Sequence, residues 1–127
     1  MAHGKFATVM NCMDGRTQLP VNEWIRKTFK VDYVDTITEP GIIRLLAETK
    51  YGTTIGMLKS EVDISANKHG SKVLVLVAHH DCAGNPLPRA EQEEQMRIAL
   101  KNVATWGFDM KVVGVYVDEK WKVNEVK

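Results

Sequence analysis

Val73, Leu74, Val75, Leu76, Val77 and Ala78 follow one another without a polar residue. A strand with one wet face alternates apolar and polar side chains, so an unbroken β-branched and leucine run describes a strand covered on both faces. The run is far too short to cross a bilayer. Covering both faces requires further layers on each side, and the rest of the chain has to supply them. With 127 residues, the chain can bury such a core as one domain, residues 1–127, without disulfide staples.

Strand and helix signals alternate along the chain. Residues 5–11 are a short apolar run that ends in the turn-rich Cys12-Met13-Asp14-Gly15-Arg16, read as a loop. Residues 22–30 follow Pro20 and carry Trp24, Ile25 and Phe29 at helical spacing. Residues 31–38 read as a second strand, broken by Glu39-Pro40-Gly41. Helices are predicted over 42–48 and 53–68, the latter closed by His69-Gly70. A longer helix is predicted over 88–106, with Glu91, Glu93 and Glu94 near its positive end and Met96, Ala99, Leu100, Val103 and Trp106 on its apolar face. Residues 111–117 are a further buried strand, and 121–126 a short edge strand. The pattern predicts an α/β fold, with a mostly parallel sheet of four to five strands flanked by helices. In such sheets the working residues lie past the carboxyl ends of the strands. Cys12 and Cys82 both lie there.

The net charge of +1, with no basic run, argues against nucleic acid as the main partner. No basic-then-apolar leader opens the chain, and no membrane segment or lipidation motif is visible. The expected location is cytoplasmic. Thiols stay reduced there, so two cysteines point to metal binding or catalysis rather than to a bridge. Cys12 from one loop and His79-His80-Asp81-Cys82 from another offer three ligands suited to zinc, with a fourth position open as in catalytic sites. Arg16 can grip Asp14 in a bidentate pair, keeping that carboxylate ionised and oriented beside a zinc-bound water. The pieces describe a zinc-hydroxide generator with a supporting carboxylate.

Cys-x-Asp-x-Arg followed by His-x-x-Cys resembles the signature of the β-class carbonic anhydrases, over roughly residues 4–118 of the chain. The resemblance implies Zn2+ on Cys12, His79 and Cys82, and an Asp14/Arg16 dyad beside it. It also implies a parallel sheet, a dimer-based homo-oligomer, and hydration of carbon dioxide to bicarbonate and a proton. Asp81 falls where the family often has an acid, and Gly41 near the family's Ala-Gly turn. The chain differs from the family in three places. It begins directly at the first strand where the family carries a helical arm. It has Cys82-Ala83-Gly84 for Cys-Gly, and Glu39-Pro40-Gly41 for Asn-Ala-Gly. Related enzymes with this metal site hydrolyse carbonyl sulfide or carbon disulfide, which makes a carbon–sulfur substrate the alternative. A non-catalytic zinc- or bicarbonate-binding module, with Asp14 closing the fourth position, is a further one.

Several residues carry plainer readings beside these. His80 is a solvated loop residue or a proton shuttle, and with Glu39 and Gly41 it is a pocket candidate. Glu39 is an exposed loop acid or an occupant of the open metal position. Asp81 reads as a cap. His3 and His69 read as surface residues. The methionines, Trp24, Trp106 and Trp121 fill core or an oligomer interface, with the Trp121 region an interface candidate.

Overall fold

The computed structural model describes residues 4–48 and 50–127, so His3 lies outside the described residues. β3 (Val73–His79) is buried at every position and lies in the middle of the sheet. β1 (Phe6–Asn11), β2 (Tyr33–Thr38), β4 (Lys111–Val117) and β5 (Val123–Val126) complete it in the order β2-β1-β3-β4-β5. The β1–β2, β1–β3 and β3–β4 pairs are parallel, and β5 joins β4 antiparallel at the edge. The expected α/β sheet is therefore present, with five strands.

Each face of the sheet has its own apolar layer. Val73, Val75 and Val77 point with Ala7 and Val9 toward α1 (Gly15–Phe29), where Val21 and Ile25 meet them. Leu74, Leu76 and Ala78 point the other way with Met10. There they meet α2 (Ile42–Ala47), α3 (Gly52–Asn67) and α4 (Arg89–Ala104) through Ile43, Leu58 and Met96. The period-two alternation of the strand divides one apolar run between two cores.

Two expectations change. α1 begins at Gly15 rather than at residue 22 and contains Pro20, so Arg16 sits in a helical first turn and not in a loop. Pro20 removes one backbone donor, but the start of the helix is well anchored. Asp14 caps it, the Thr17 hydroxyl donates to the Asp14 carbonyl at 2.8 Å, and the Gln18 amide donates to the Cys12 carbonyl at 2.8 Å. His69, read as a surface residue, is half-buried. It stacks on Phe6 at 4.3 Å between ring centres, and its Nδ1 is 2.7 Å from the Asp35 carboxylate.

The segment before α2 and the one after Cys82 touch backbone to backbone. Gly41 has φ +58°, and a Cβ there would lie 2.6 Å from the Gly84 oxygen; a Cβ on Gly84 would lie 2.8 Å from the Gly41 nitrogen. Both residues must be glycine for this approach. Gly84→Ala is expected to cost about 1–3 kcal/mol by overpacking. Gly41→Ala should cost more, because left-handed strain of about 1–2 kcal/mol adds to the clash. Denaturant titration of the two variants checks the order.

Candidate metal centre

The pairing of β1 with β3 brings two loops over one end of the sheet. β1 leads into Cys12, and β3 ends on His79 and leads into Cys82. The two sulfur atoms lie 3.9 Å apart. Ligand atoms of Cys12, His79 and Cys82 all fall within 4.8 Å of one another, and no other such group converges among the described residues. All three residues are buried, and both cysteines are free. The sulfurs are too far apart for a disulfide bond of about 2 Å. Two thiolates at about 2.3 Å from one tetrahedral zinc would be roughly 3.8 Å apart, so the spacing fits a shared ion.

The imidazole is prepared for the same role. His79 Nδ1 is 2.7 Å from the His80 carbonyl oxygen. A carbonyl only accepts, so Nδ1 carries the hydrogen and Nε2 presents its lone pair. That Nε2 is buried with no hydrogen-bond partner. An orphaned buried nitrogen is costly, and beside two thiols it is where a metal ligand would stand.

Without a cation the two thiols compete for charge. The hydrogen bond from Cys82 holds the Cys12 thiol far below its usual range, against burial, and the same bond pushes Cys82 up. The Gly41 N–H, 3.5 Å from Cys12 Sγ, also favours the Cys12 thiolate. Burial disfavours a protonated His79, but attraction to the neighbouring Cys12 thiolate and the bond to the His80 carbonyl outweigh it and raise the imidazole pKa. A divalent cation would satisfy both thiolates and the neutral ring together.

Asp14 and Arg16 stand beside this triad, in the pairing expected from their spacing. Asp14 Oδ1 accepts from the Arg16 backbone N–H at 2.9 Å, as the cap of α1. The guanidinium of Arg16 also grips the same carboxylate, through Nε at 3.1 Å and Nη2 at 2.7 Å. This fork holds the Asp14 carboxyl down to about 2. Arg16 Nη1 reaches the Asp81 carboxylate at 3.2 Å and Nη2 the Asp81 carbonyl at 3.1 Å. The Arg16 Cζ lies over the Trp121 ring, 4.6 Å from its centre. Arg16 therefore ties the Cys12 loop to the Cys82 loop. Asp81, read as a cap, has φ +56° and serves as the second carboxylate of this arginine.

The pocket candidates divide. Gly41 lies at the cluster, against Cys12. Glu39 and His80 are not among the converging side chains. Glu39 extends the β1–β2 ladder through its N–H to the Asn11 carbonyl at 3.2 Å. His80 is exposed, with its ring edge-on to Trp121 at 6.3 Å. Ile42, Ile43, Val77 and Ala78 wall the small hollow at the triad. Sequence reading missed Thr17, Gln18 and Gln92, which hold the backbone of the two loops. Their one visible signal is a carboxamide or hydroxyl placed within a turn or two of a helix start.

A five-stranded, mostly parallel α/β sheet carrying a buried Cys/His/Cys donor set at the strand ends is the architecture of a β-carbonic anhydrase-like protein. The chain belongs to the family described as "Putative carbonic anhydrase", which matches residues 2–127. Among solved structures, the β-carbonic anhydrase CafA of the fungal pathogen Aspergillus fumigatus superposes with a TM-score of 0.52 at 14% identity, covering 99% of this chain and 76% of that one. One of two tetrameric β-carbonic anhydrases from the filamentous ascomycete Sordaria macrospora gives a TM-score of 0.51 at 16% identity, covering 99% and 82%. No curated protein matches the chain significantly. Likeness at these identities speaks for the fold, while activity has to be argued from the site.

The Asp14 pairing has a consequence for acid stability. Its carboxyl lies at about 2 in the folded protein against an ordinary value of 3.8. The stabilisation is therefore complete above 3.8 and is lost as pH falls through 2. In metal-free protein, Asp14→Asn is expected to keep the helix cap and to flatten the loss of unfolding free energy across that window. Denaturant titration at each pH measures it, and parallel wild-type and variant curves would remove Asp14 from the acid limb.

Proposed function

We propose that the chain binds one zinc ion through Cys12, His79 and Cys82 and reversibly hydrates carbon dioxide to bicarbonate and a proton. The observation that carries this reading is the buried triad, with the lone pair of His79 Nε2 unpartnered beside two sulfurs at tetrahedral spacing. Zinc bound there would supply the Lewis acidity that brings the pKa of a water near neutrality. Asp14 stands outside the converging ligand set and is already gripped by Arg16. This favours an open fourth position over one closed by Asp14.

The residues around the triad have distinct parts in this reaction. With its carboxyl at about 2, Asp14 stays ionised at neutral pH. It accepts a hydrogen bond from the attacking water and orients it, but does not store the proton. Arg16 holds the carboxylate in that attitude. Ile42, Ile43, Val77 and Ala78 pack closely around the triad and keep its inner side dry. The Glu39-Pro40-Gly41 turn, where the related enzymes have Asn-Ala-Gly, lies against Cys12 through Gly41, so the carbon–sulfur substrate is the second reading. Assembly as a homo-oligomer belongs to the same proposal, with the tetrameric Sordaria enzymes as its support. No described helix is long and apolar enough to cross a membrane, in keeping with the cytoplasmic location proposed for the protein.

Stopped-flow carbon dioxide hydration tests the proposal, on protein holding about one zinc per chain and over about pH 6.5 to 9. The rate should rise with pH. Cys82→Ser should lose both zinc and activity. Asp14→Ala should keep zinc and lose about 10²-fold or more in rate. Full zinc with no hydration would end the carbon dioxide reading, and turnover of carbonyl sulfide in the same preparation would put the sulfur reading in its place.

A further inference from the structure

α4 carries a carboxamide into the wall of the metal centre. Gln92 is 1% exposed. Its Nε2 donates to the His79 carbonyl at 2.9 Å and to the Leu87 carbonyl at 2.9 Å, and its Oε1 accepts from the His79 backbone N–H at 3.3 Å. The reason for this clasp lies in the sheet. β1 stays beside β3 only as far as Met10 opposite Leu76. Beyond that point β3 continues through Val77 and Ala78 to His79, paired with β4 on its other side. The edge of His79 that faces away from β4 has lost its strand partner, and Gln92 supplies the missing donor and acceptor from one side chain.

Few side chains can do this. A carboxamide donates and accepts at adjacent atoms. A carboxylate would accept from the N–H but set its second oxygen against two carbonyls. An aliphatic group would leave the N–H and C=O of His79 buried and unpaired, each at a desolvation cost. The backbone of His79 in turn aims its ring. The side chain leaves a residue whose N–H and C=O are both held by Gln92, and its Nδ1 is tied to the next carbonyl. Nε2 has one direction left, toward Cys12 and Cys82.

We propose that Gln92 is a positioning residue of the metal centre: by clasping both backbone groups of His79 from α4, it fixes the aim of the imidazole and so sets how tightly the site holds its ion. The inference rests on the reading of Cys12, His79 and Cys82 as metal ligands. Gln92 makes no hydrogen bond to a ligand atom; it acts through the backbone of His79, with the Leu87 carbonyl as its second anchor.

The test compares the wild-type chain with Gln92→Leu and Gln92→Glu. The first removes all three bonds, and the second keeps the shape and puts an acceptor in place of the donor. Asn102→Ala is the control. Asn102 lies on the same helix and donates to the Leu46 and Ala47 carbonyls of α2, so its loss weakens α4 packing without touching His79. Zinc affinity is read by chelator competition, the cobalt-substituted absorption spectrum reports ligand geometry, and melting of the metal-free forms reports stability. Both Gln92 variants should bind zinc about 10–100-fold more weakly and shift the cobalt bands, while Asn102→Ala lowers the melting temperature and leaves affinity and spectrum at wild-type values. If Gln92→Leu does not fold, the isosteric Gln92→Glu supplies the comparison. Folded Gln92 variants with wild-type affinity and spectrum would overturn the inference, as would an equal loss of affinity in Asn102→Ala. A wild-type chain that takes up no zinc would overturn the ligand reading beneath it.

Discussion

Thr8, Val9 and Met10 lie in register with Leu74, Val75 and Leu76. This short parallel ladder joins strands that are distant in the chain, and the metal centre depends on it. Both strands run the same way, so both deliver their following loops to the same end of the sheet. Cys12 and Cys82 meet because of that shared direction. The register is held by burial on two faces: a slip of one residue would exchange the valine layer against α1 with the leucine layer against α2, α3 and α4. The site is thus aligned by apolar packing well away from it.

Polar groups then complete what the ladder begins. The Cys12 loop is held from α1 by Thr17 and Gln18, and the end of β3 is held from α4 by Gln92. Arg16 joins the two loops across the outer side, with Asp14 and Asp81 on its nitrogens and Trp121 against its face. These side chains pair backbone groups that the loops would otherwise leave without a strand partner, as an interior of low dielectric demands. The His79 Nε2 is left without a partner beside the two thiols, and that gives the cluster its chemical meaning.

The charged and the dry parts of the centre are separated. Arg16 and Asp81 are exposed to water, whereas the three candidate ligands and the wall of Ile42, Ile43, Val77 and Ala78 are buried. A carboxylate fixed at the boundary can orient a water that approaches the buried donors, with its own charge stabilised from the solvent side. This division is compatible with a small uncharged substrate and does not by itself select one.

Much of this was legible in the chain. The apolar run ending at Ala78 announced a strand covered on both faces, and the segments around Cys12 and Cys82 carried the donor types, the Asp14/Arg16 spacing and the family resemblance. These are local properties: side-chain chemistry, period and short spacing survive in one dimension. The early start of α1 was not legible, because Pro20 reads as a boundary and the bonds from Asp14, Thr17 and Gln18 that carry the helix past it depend on where the Cys12 loop lies. Asp81 could be recognised as an acid but not as the partner of an arginine 65 residues away. The use of Gln92 was hidden among the glutamates of α4, since it exists only where β1 leaves the side of β3. The sequence alone thus determined which chemistry the protein can hold and on which kind of sheet. Only the tertiary structure decided which groups meet, because strand order, register and the ends of pairing are set by packing between segments far apart in the chain.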